Sequence, residues 1–136
     1  MALDNSGQTM NDSDLRFGLV GHGLWGTHHG RAIAGTDGAV LAAVAERSDE
    51  GRAAAAAAHP GADVYDDYRR MLDRDDIEAV DIVVPSHLHY EIAAAALDAG
   101  KHVLVEKPMV LTMDHCQKLI ALAKQKGKVL AVDHEM

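Results

Sequence analysis

The chain is poor in several residue types that mark secreted and membrane proteins. Cys116 is the only cysteine among 136 residues, so no intrachain disulfide can form, as is usual in a reducing compartment. No apolar run approaches the roughly 20 residues that cross a bilayer. The N-terminus also lacks the basic start and apolar stretch of a secretion signal. We therefore expect a cytoplasmic protein without a membrane partner.

Clustered positive charge is absent as well. Lysine and arginine number 13 against 21 acidic residues, the formal net charge is −8, and the basic residues are scattered along the chain. Recognition of nucleic-acid phosphates depends on clustered Lys and Arg. This composition argues against a nucleic-acid partner and favours a small-molecule one.

Aromatic residues are also scarce, at 4%, although 48% of the chain is hydrophobic. Alanine-rich stretches and runs of Val, Ile and Leu suit helices packed closely on a sheet.

The length of the chain allows one domain with one core. Residues 1–14 are polar and aperiodic, which predicts a flexible tail before a single domain at 15–136.

From residue 15 onward, short apolar runs alternate with longer helical patterns. Such alternation predicts an α/β protein with a parallel sheet covered by helices on both faces. Ser48 and Ser86 are expected to cap helices, and Gly35, Gly100 and Gly127 to end them. The expected strands lie at 16–21, 40–45, 63–65, 79–84, 102–105 and 128–132, and the expected helices at 24–34, 48–58, 67–72, 86–97 and 112–126.

Three glycines with the spacing G-x-G-x-x-G end the first predicted strand and begin its helix. Gly21 permits the tight turn, Gly23 lets phosphate oxygens approach the backbone, and Gly26 lets helix and strand pack closely. The amides of Leu24 and Trp25 are the expected pyrophosphate donors. A tight turn without a ligand is the alternative, because the motif alone is weak evidence.

The second predicted strand ends at an acidic residue, Glu46, where a carboxylate can accept hydrogen bonds from a ribose. Glu46 favours NAD because it would repel a 2′-phosphate. Arg47 and Ser48 follow directly in sequence and would accommodate that phosphate if Glu46 swung aside.

From the strand–helix alternation, the glycine motif and Glu46 we expect a three-layer, doubly wound Rossmann fold with a mostly parallel six-stranded sheet. We expect it to bind NAD, with NADP as an alternative cofactor.

Histidines are frequent near the predicted ligand edge, but their spacing does not favour a metal. His87 and His89 lie two residues apart at a helix start, in the segment that follows Pro85. No cysteine or carboxylate has an obvious ligand spacing to them, and the same holds for the His28 and His29 pair. We expect no metal site.

The segment Glu106-Lys107-Pro108 directly follows the fifth predicted strand and so opens onto the same edge as the glycine turn. A lysine there can hydrogen-bond the cofactor ribose and a substrate oxygen, and so stabilise alkoxide character as hydride leaves the neighbouring carbon. A surface ion pair of Glu106 with Lys107 before a proline turn is the structural alternative.

Together these segments resemble the Gfo/Idh/MocA oxidoreductases, named for glucose-fructose oxidoreductase and inositol dehydrogenase. The resemblance covers nearly the whole chain after residue 14. It is carried by Gly21-His22-Gly23-Leu24-Trp25-Gly26, Tyr65-Asp66-Asp67-Tyr68, Ile77-Glu78-Ala79-Val80, Pro85 with His89, and the most specific stretch, Gly100-Lys101-His102-Val103-Leu104-Val105-Glu106-Lys107-Pro108.

The resemblance implies roles for several of these residues. Lys107 corresponds to the family's active-site lysine, Glu106 contacts the nicotinamide side of the cofactor, and Pro85 and His89 line the nicotinamide pocket. Members oxidise secondary hydroxyls of sugars, inositols and related polyols, or reduce the matching ketones. They usually continue into a C-terminal domain that supports oligomers and supplies further catalytic residues, so we expect a chain cut before that domain, from a protein that forms homo-oligomers.

Two other functions remain open from sequence. Some relatives keep NAD tightly bound and cleave a glycosidic bond through transient oxidation, and net NADH release would separate them from dehydrogenases. A non-catalytic dinucleotide-binding module is the third interpretation, which the short chain favours and the intact Glu106-Lys107-Pro108 opposes. The fold alone does not decide among them.

Overall fold

The computed structural model describes residues 13–134, in which strands and helices alternate as the sequence predicts. The predicted tail over 1–14 therefore lies almost wholly outside the described residues. The strands are β1 (Leu15–Val20), β2 (Ala39–Ala45), β3 (Asp63–Tyr65), β4 (Ala79–Ile82), β5 (His102–Glu106) and β6 (Leu130–Asp133), and the helices are α1 (Leu24–Ala34), α2 (Asp49–Ala58), α3 (Tyr68–Leu72), α4 (His89–Asp98) and α5 (Met113–Lys126).

All six strands belong to one sheet in the order β3-β2-β1-β4-β5-β6, and every neighbouring pair is parallel. This is the strand order of a Rossmann fold, so the predicted fold class is confirmed. The order reverses between β1 and β4. In such sheets ligands bind at that reversal, outside the carboxyl ends of the strands.

The helices lie on both faces of the sheet and bury two separate sets of apolar side chains. On one face, α3, α4 and α5 contribute Met71, Leu97 and Leu119. On the other face, α1 and α2 contribute Ile33 and Ala55. The three predicted layers are therefore present. Within residues 13–134 no helix is both long and apolar enough to cross a membrane.

Local sequence signals explain where most helices begin and end. The Ser48 hydroxyl accepts a hydrogen bond from the Gly51 amide at the start of α2, and the Thr112 hydroxyl accepts one from the His115 amide at the start of α5. Gly127 ends α5 in the left-handed region, with a φ of 65°. These are local interactions, which is why the sequence predicts them well.

The prediction that Ser86 caps a helix is wrong. Ser86–Leu88 forms a single 3₁₀ turn, and α4 begins only at His89 without a side-chain cap. β4 also ends at Ile82, earlier than predicted; the Val83 amide still donates to the Val20 carbonyl, and the chain bends at Val84 just before Pro85. β1 ends at Val20 since Gly21 has a φ of 99°, which interrupts extended structure.

The buried face of α4 should contribute strongly to the free energy of unfolding. Leu97 is 0% exposed, so Leu97→Ala should lower the free energy of unfolding by about 2–5 kcal/mol through lost burial and a residual cavity. Ile120→Ala, at a 43% exposed position of α5, should change it little. Urea unfolding followed by circular dichroism measures both, and equal losses would contradict this account of the core.

Candidate functional site

The turn between β1 and α1 packs too closely for a side chain at two of its glycines. A Cβ added to Gly21 would lie 2.0 Å from the carbonyl oxygen of Val83, and one added to Gly26 would lie 2.2 Å from the carbonyl oxygen of Gly21. Real Cβ atoms do not approach so closely, so only glycine fits. These contacts fix the N-terminus of α1 against the ends of β1 and β4.

Gly23 lies in the same turn but faces open space. A Cβ at Gly23 would have no neighbour within 4 Å, and its φ of −82° suits any residue. Gly23 immediately precedes α1, and no side chain caps that end. Because first-turn amides have no acceptor within a helix, those of Leu24 and Trp25 are available to an anion at the positive end of the helix dipole.

A cavity of about 680 Å³ opens beside this helix end, within the size range of small-molecule sites. Its wall combines the glycine turn with the loops that follow β4 and β5. The cavity thus brings together most of the site residues predicted from sequence. Its lining consists of Gly23, Leu24, Trp25, Gly26, Val83, Val84, Pro85, Ser86, Glu106 and Lys107.

Glu46 does not line this cavity but is tied to the glycine turn beside it. Its Oε1 accepts a hydrogen bond from the His22 amide at 3.0 Å, and its Oε2 accepts from the Ser48 amide at 2.6 Å and the Ser48 hydroxyl at 2.8 Å. Burial alone would raise the pKa of Glu46, but these hydrogen bonds outweigh it and lower the pKa below its usual value. A charged carboxylate is therefore held at the end of β2, with Arg47 exposed next to it.

His89 lies behind the cavity wall and is only 1% exposed. Its Nδ1 is 2.7 Å from the carbonyl oxygen of Pro108, and its Nε2 is 2.9 Å from the carbonyl oxygen of Val84. A carbonyl oxygen only accepts, so a ring N–H can donate to either of these two oxygens. His89 therefore lies between the segments after β4 and β5, and it is not among the residues that line the cavity.

Glu106 ends β5 and Lys107 follows it directly, but the two side chains lie in different surroundings. The side chain of Lys107 is exposed at the cavity rim, and in the described part of the chain no hydrogen bond or ion pair involves its ammonium. The Oε2 of Glu106 lies 3.0 Å from Nε2 of the buried His29. The surface ion pair of Glu106 with Lys107, the alternative raised by the sequence, does not form.

His29 is the centre of a charged cluster that sequence reasoning did not predict. Its Nδ1 lies 2.7 Å from Oδ2 of Asp81 on β4, and its Nε2 lies 3.2 Å from Oδ2 of Asp133 on β6 as well as close to Glu106. The hydrogen bond to Asp81 and the charges of all three carboxylates raise the pKa of His29 to about 9, despite burial. One signal was available: Asp81 is a charged residue within an otherwise apolar strand.

Two further buried histidines meet at the glycine turn, which includes His22. His22 and His59 are each 4% exposed, and their rings meet edge to face with centroids 5.9 Å apart. Burial lowers the pKa of both rings, and the proximity of His22 and Arg31 lowers that of His59 further. Both rings are therefore kept neutral near pH 7 beneath the turn that holds Gly23.

The strand order, the glycine turn and the adjoining cavity define a dinucleotide-binding domain of the Rossmann class. Known proteins with related sequences are oxidoreductases. YdgJ, an uncharacterized oxidoreductase of Escherichia coli, is 39% identical over 92% of this chain and 35% of its own length. Levoglucosan dehydrogenase of Pseudarthrobacter phenanthrenivorans and inositol 2-dehydrogenase 1 of Saccharopolyspora erythraea are each 36% identical over 85% of this chain, and over 32% and 35% of their own lengths.

Solved structures agree with this class. Biliverdin reductase of Synechocystis, in complex with biliverdin and NADP⁺, superposes with a TM-score of 0.83 at 33% identity, over 88% of this chain and 38% of that chain. The family of oxidoreductases with an NAD-binding Rossmann fold, Gfo/Idh/MocA, matches residues 15–134. The chain belongs to this family and is its NAD(P)-binding domain. It spans about a third of the length of the relatives compared.

The neutral histidine pair should make the domain sensitive to mild acid. Because the pKa values of His22 and His59 lie below their usual 6.5, the unfolded chain binds protons that the folded chain does not, and stability should fall as the pH decreases below 6.5. His59→Gln should reduce this fall, whereas His28→Gln, the same change at an exposed ring, should not. Urea midpoints at about pH 7 and about pH 5.5 test this, and an unchanged fall in His59→Gln would contradict it.

Proposed function

We propose that the chain is the cofactor domain, over residues 15–136, of an NAD-dependent dehydrogenase that acts on a secondary CH–OH group of a sugar or polyol. The observation that carries the proposal is one cavity that lies between the first turn of α1 and Lys107. The free amides of a helix end and an exposed ammonium on the walls of the same cavity support a dinucleotide beside a catalytic lysine.

The residues around the glycine turn fit a dinucleotide. The space above Gly23 suits a pyrophosphate, because a backbone without Cβ atoms lets phosphate oxygens reach the first-turn amides of Leu24 and Trp25. Gly21 and Gly26 hold these amides in place through their close backbone contacts. At the end of β2, the Oε1 of Glu46 accepts one hydrogen bond from the protein, so it would keep a lone pair for a ribose hydroxyl.

The fixed position of Glu46 supports NAD over NADP. Accommodation of a 2′-phosphate by Arg47 and Ser48 would require Glu46 to swing aside. That movement would break its hydrogen bonds with the His22 amide and with both the amide and the hydroxyl of Ser48. It would also leave a carboxylate close to the phosphate. NADP therefore remains the less favoured alternative.

Lys107 is the residue we assign to catalysis. A bound nicotinamide supplies the hydride acceptor, and the ammonium of Lys107 would donate a hydrogen bond to the substrate oxygen as the carbon–hydrogen bond breaks. The ammonium is exposed at the cavity rim and is not engaged elsewhere in the described chain. Pro85 forms the facing wall, and Glu106 holds the loop through its contact with His29.

The substrate class is inferred from relatives. Levoglucosan dehydrogenase and inositol 2-dehydrogenase act on a sugar derivative and a polyol, as their names state, and both match most of this chain. Because the chain covers about a third of their length, we assign the general base and most substrate contacts to the remaining part of such a protein. The homo-oligomer expected from the family resemblance belongs to that whole protein.

Cofactor binding can be tested at a position where the fold tolerates a side chain. Gly23→Leu should leave the domain folded, since its Cβ meets nothing within 4 Å, and should abolish NAD binding by filling the phosphate space. Ala57→Leu adds a bulky side chain on the exposed face of α2 and should bind NAD normally. Calorimetric titration with NAD and NADP measures both variants, and equal NAD affinity in the two would refute the proposed pyrophosphate site.

The catalytic assignment predicts a different pattern for Lys107. In protein that oxidises a polyol with NAD, Lys107→Ala should lower kcat by about 10²-fold or more through loss of the donor to the reacting oxygen, with little change in NAD affinity. Lys118→Ala, at an exposed position of α5, should retain full activity. NADH formation followed by absorbance checks this, and a kcat near that of the parent protein for Lys107→Ala would remove the lysine from catalysis.

A further inference from the structure

The charged cluster around His29 has the composition of a metal site. One nitrogen and two carboxylate oxygens converge there from three elements: Nε2 of His29 on α1, Oε2 of Glu106 at the end of β5, and Oδ2 of Asp133 at the end of β6. All three atoms lie within 4.8 Å of one another. Nitrogen with carboxylate oxygen is a ligand set that Zn²⁺ and Mn²⁺ accept.

The other side of the His29 ring is held as in metal-binding histidines. Its Nδ1 is 2.7 Å from Oδ2 of Asp81, and Asp81 is 1% exposed. When Asp81 is ionised its carboxylate can only accept, so Nδ1 donates to it and Nε2 is the ring atom that presents a lone pair to a metal. A carboxylate behind the imidazole fixes ring orientation and raises ligand basicity in metal sites.

The distances in front of the ring suit a shared cation. Nε2 lies 3.0 Å from the Glu106 oxygen and 3.2 Å from the Asp133 oxygen, yet this nitrogen, in a residue only 7% exposed, makes no hydrogen bond among the described residues. Ligand atoms about 2.1 Å from a tetrahedral Zn²⁺ are about 3.4 Å apart. Small shifts would therefore let one ion contact all three atoms.

The cluster has an access route separate from the proposed cofactor cavity. A second cavity of about 290 Å³ lies between α1 and the sheet, and His29, Asp81 and Asp133 form part of its wall. The side chain of Asp133 is 30% exposed. Water in this cavity can complete the coordination of an ion, since three protein ligands leave a position open.

We propose that His29, Glu106 and Asp133 form a binding site for one divalent transition-metal ion, with Zn²⁺ as the probe, and that Asp81 orients His29 from behind. The ion joins α1 to the ends of β5 and β6. The proposal does not depend on the dehydrogenase function, because it concerns this chain without NAD or substrate. It revises the expectation, drawn from spacing alone, that the chain has no metal site.

The test uses this chain after removal of metals with EDTA, titrated calorimetrically with Zn²⁺ and in parallel with Co²⁺, whose visible absorption reports coordination. The parent chain should bind one equivalent. Asp133→Asn removes a partly exposed ligand with little risk to folding and should weaken binding by about tenfold or more. His87→Gln, at an exposed ring outside this cavity, should bind like the parent chain, which controls for adventitious binding by surface histidines.

Three results would overturn the proposal: no one-equivalent binding by the parent chain, equal affinity of Asp133→Asn and the parent chain, or loss of binding in His87→Gln. Glu106→Gln provides a second ligand variant, and circular dichroism of each variant confirms that it is folded. Since NAD is absent throughout, these results are separate from those of the NAD titration. If the chain bound the metal ion but did not bind NAD, the proposed metal site would stand and only the proposed function would be refuted.

Discussion

The sheet edge at which ligands bind is arranged by two backbone contacts that leave no room for a Cβ atom. Gly26 lies against the carbonyl of Gly21, and Gly21 lies against the carbonyl of Val83. Through these two contacts the start of α1 is fixed relative to the ends of β1 and β4. The Pro85 loop and the first-turn amides then face each other across one cavity. A methyl group at either glycine would separate these segments before any ligand arrived.

Much of the fold and part of the site follow from short-range patterns. Periodicity and capping residues predict the elements within a few residues, and Gly21 and Glu46 directly follow β1 and β2 while Gly23 and Gly26 lie at the start of α1, as expected. These features depend on the conformation of a few adjacent residues. The start of α4 was misplaced: a 3₁₀ turn at Ser86–Leu88 precedes it, and its first residue, His89, contacts Pro108, which is distant in sequence. No pattern around Ser86 contains that contact.

The sequence also did not determine the directions in which several side chains of the site point. His89, at the start of α4, is not part of the cavity lining, and its ring lies between two backbone carbonyls. The carboxylate of Glu106 lies beside the His29 ring and not in an ion pair with Lys107. The histidines themselves show how much the surroundings decide: carboxylates raise the pKa of His29, whereas burial lowers that of His22. Adjacent residues give little information about such partners.

The ring of His89 also bears on how far the cavity can open. Its Nδ1 lies 2.7 Å from the carbonyl oxygen of Pro108 and its Nε2 lies 2.9 Å from that of Val84, so the buried imidazole stands between the segments that follow β4 and β5. A ring N–H that donates to either carbonyl forms a buried hydrogen bond, which is costly to break. The imidazole therefore acts as a spacer that holds the two segments at a set separation beside the cavity.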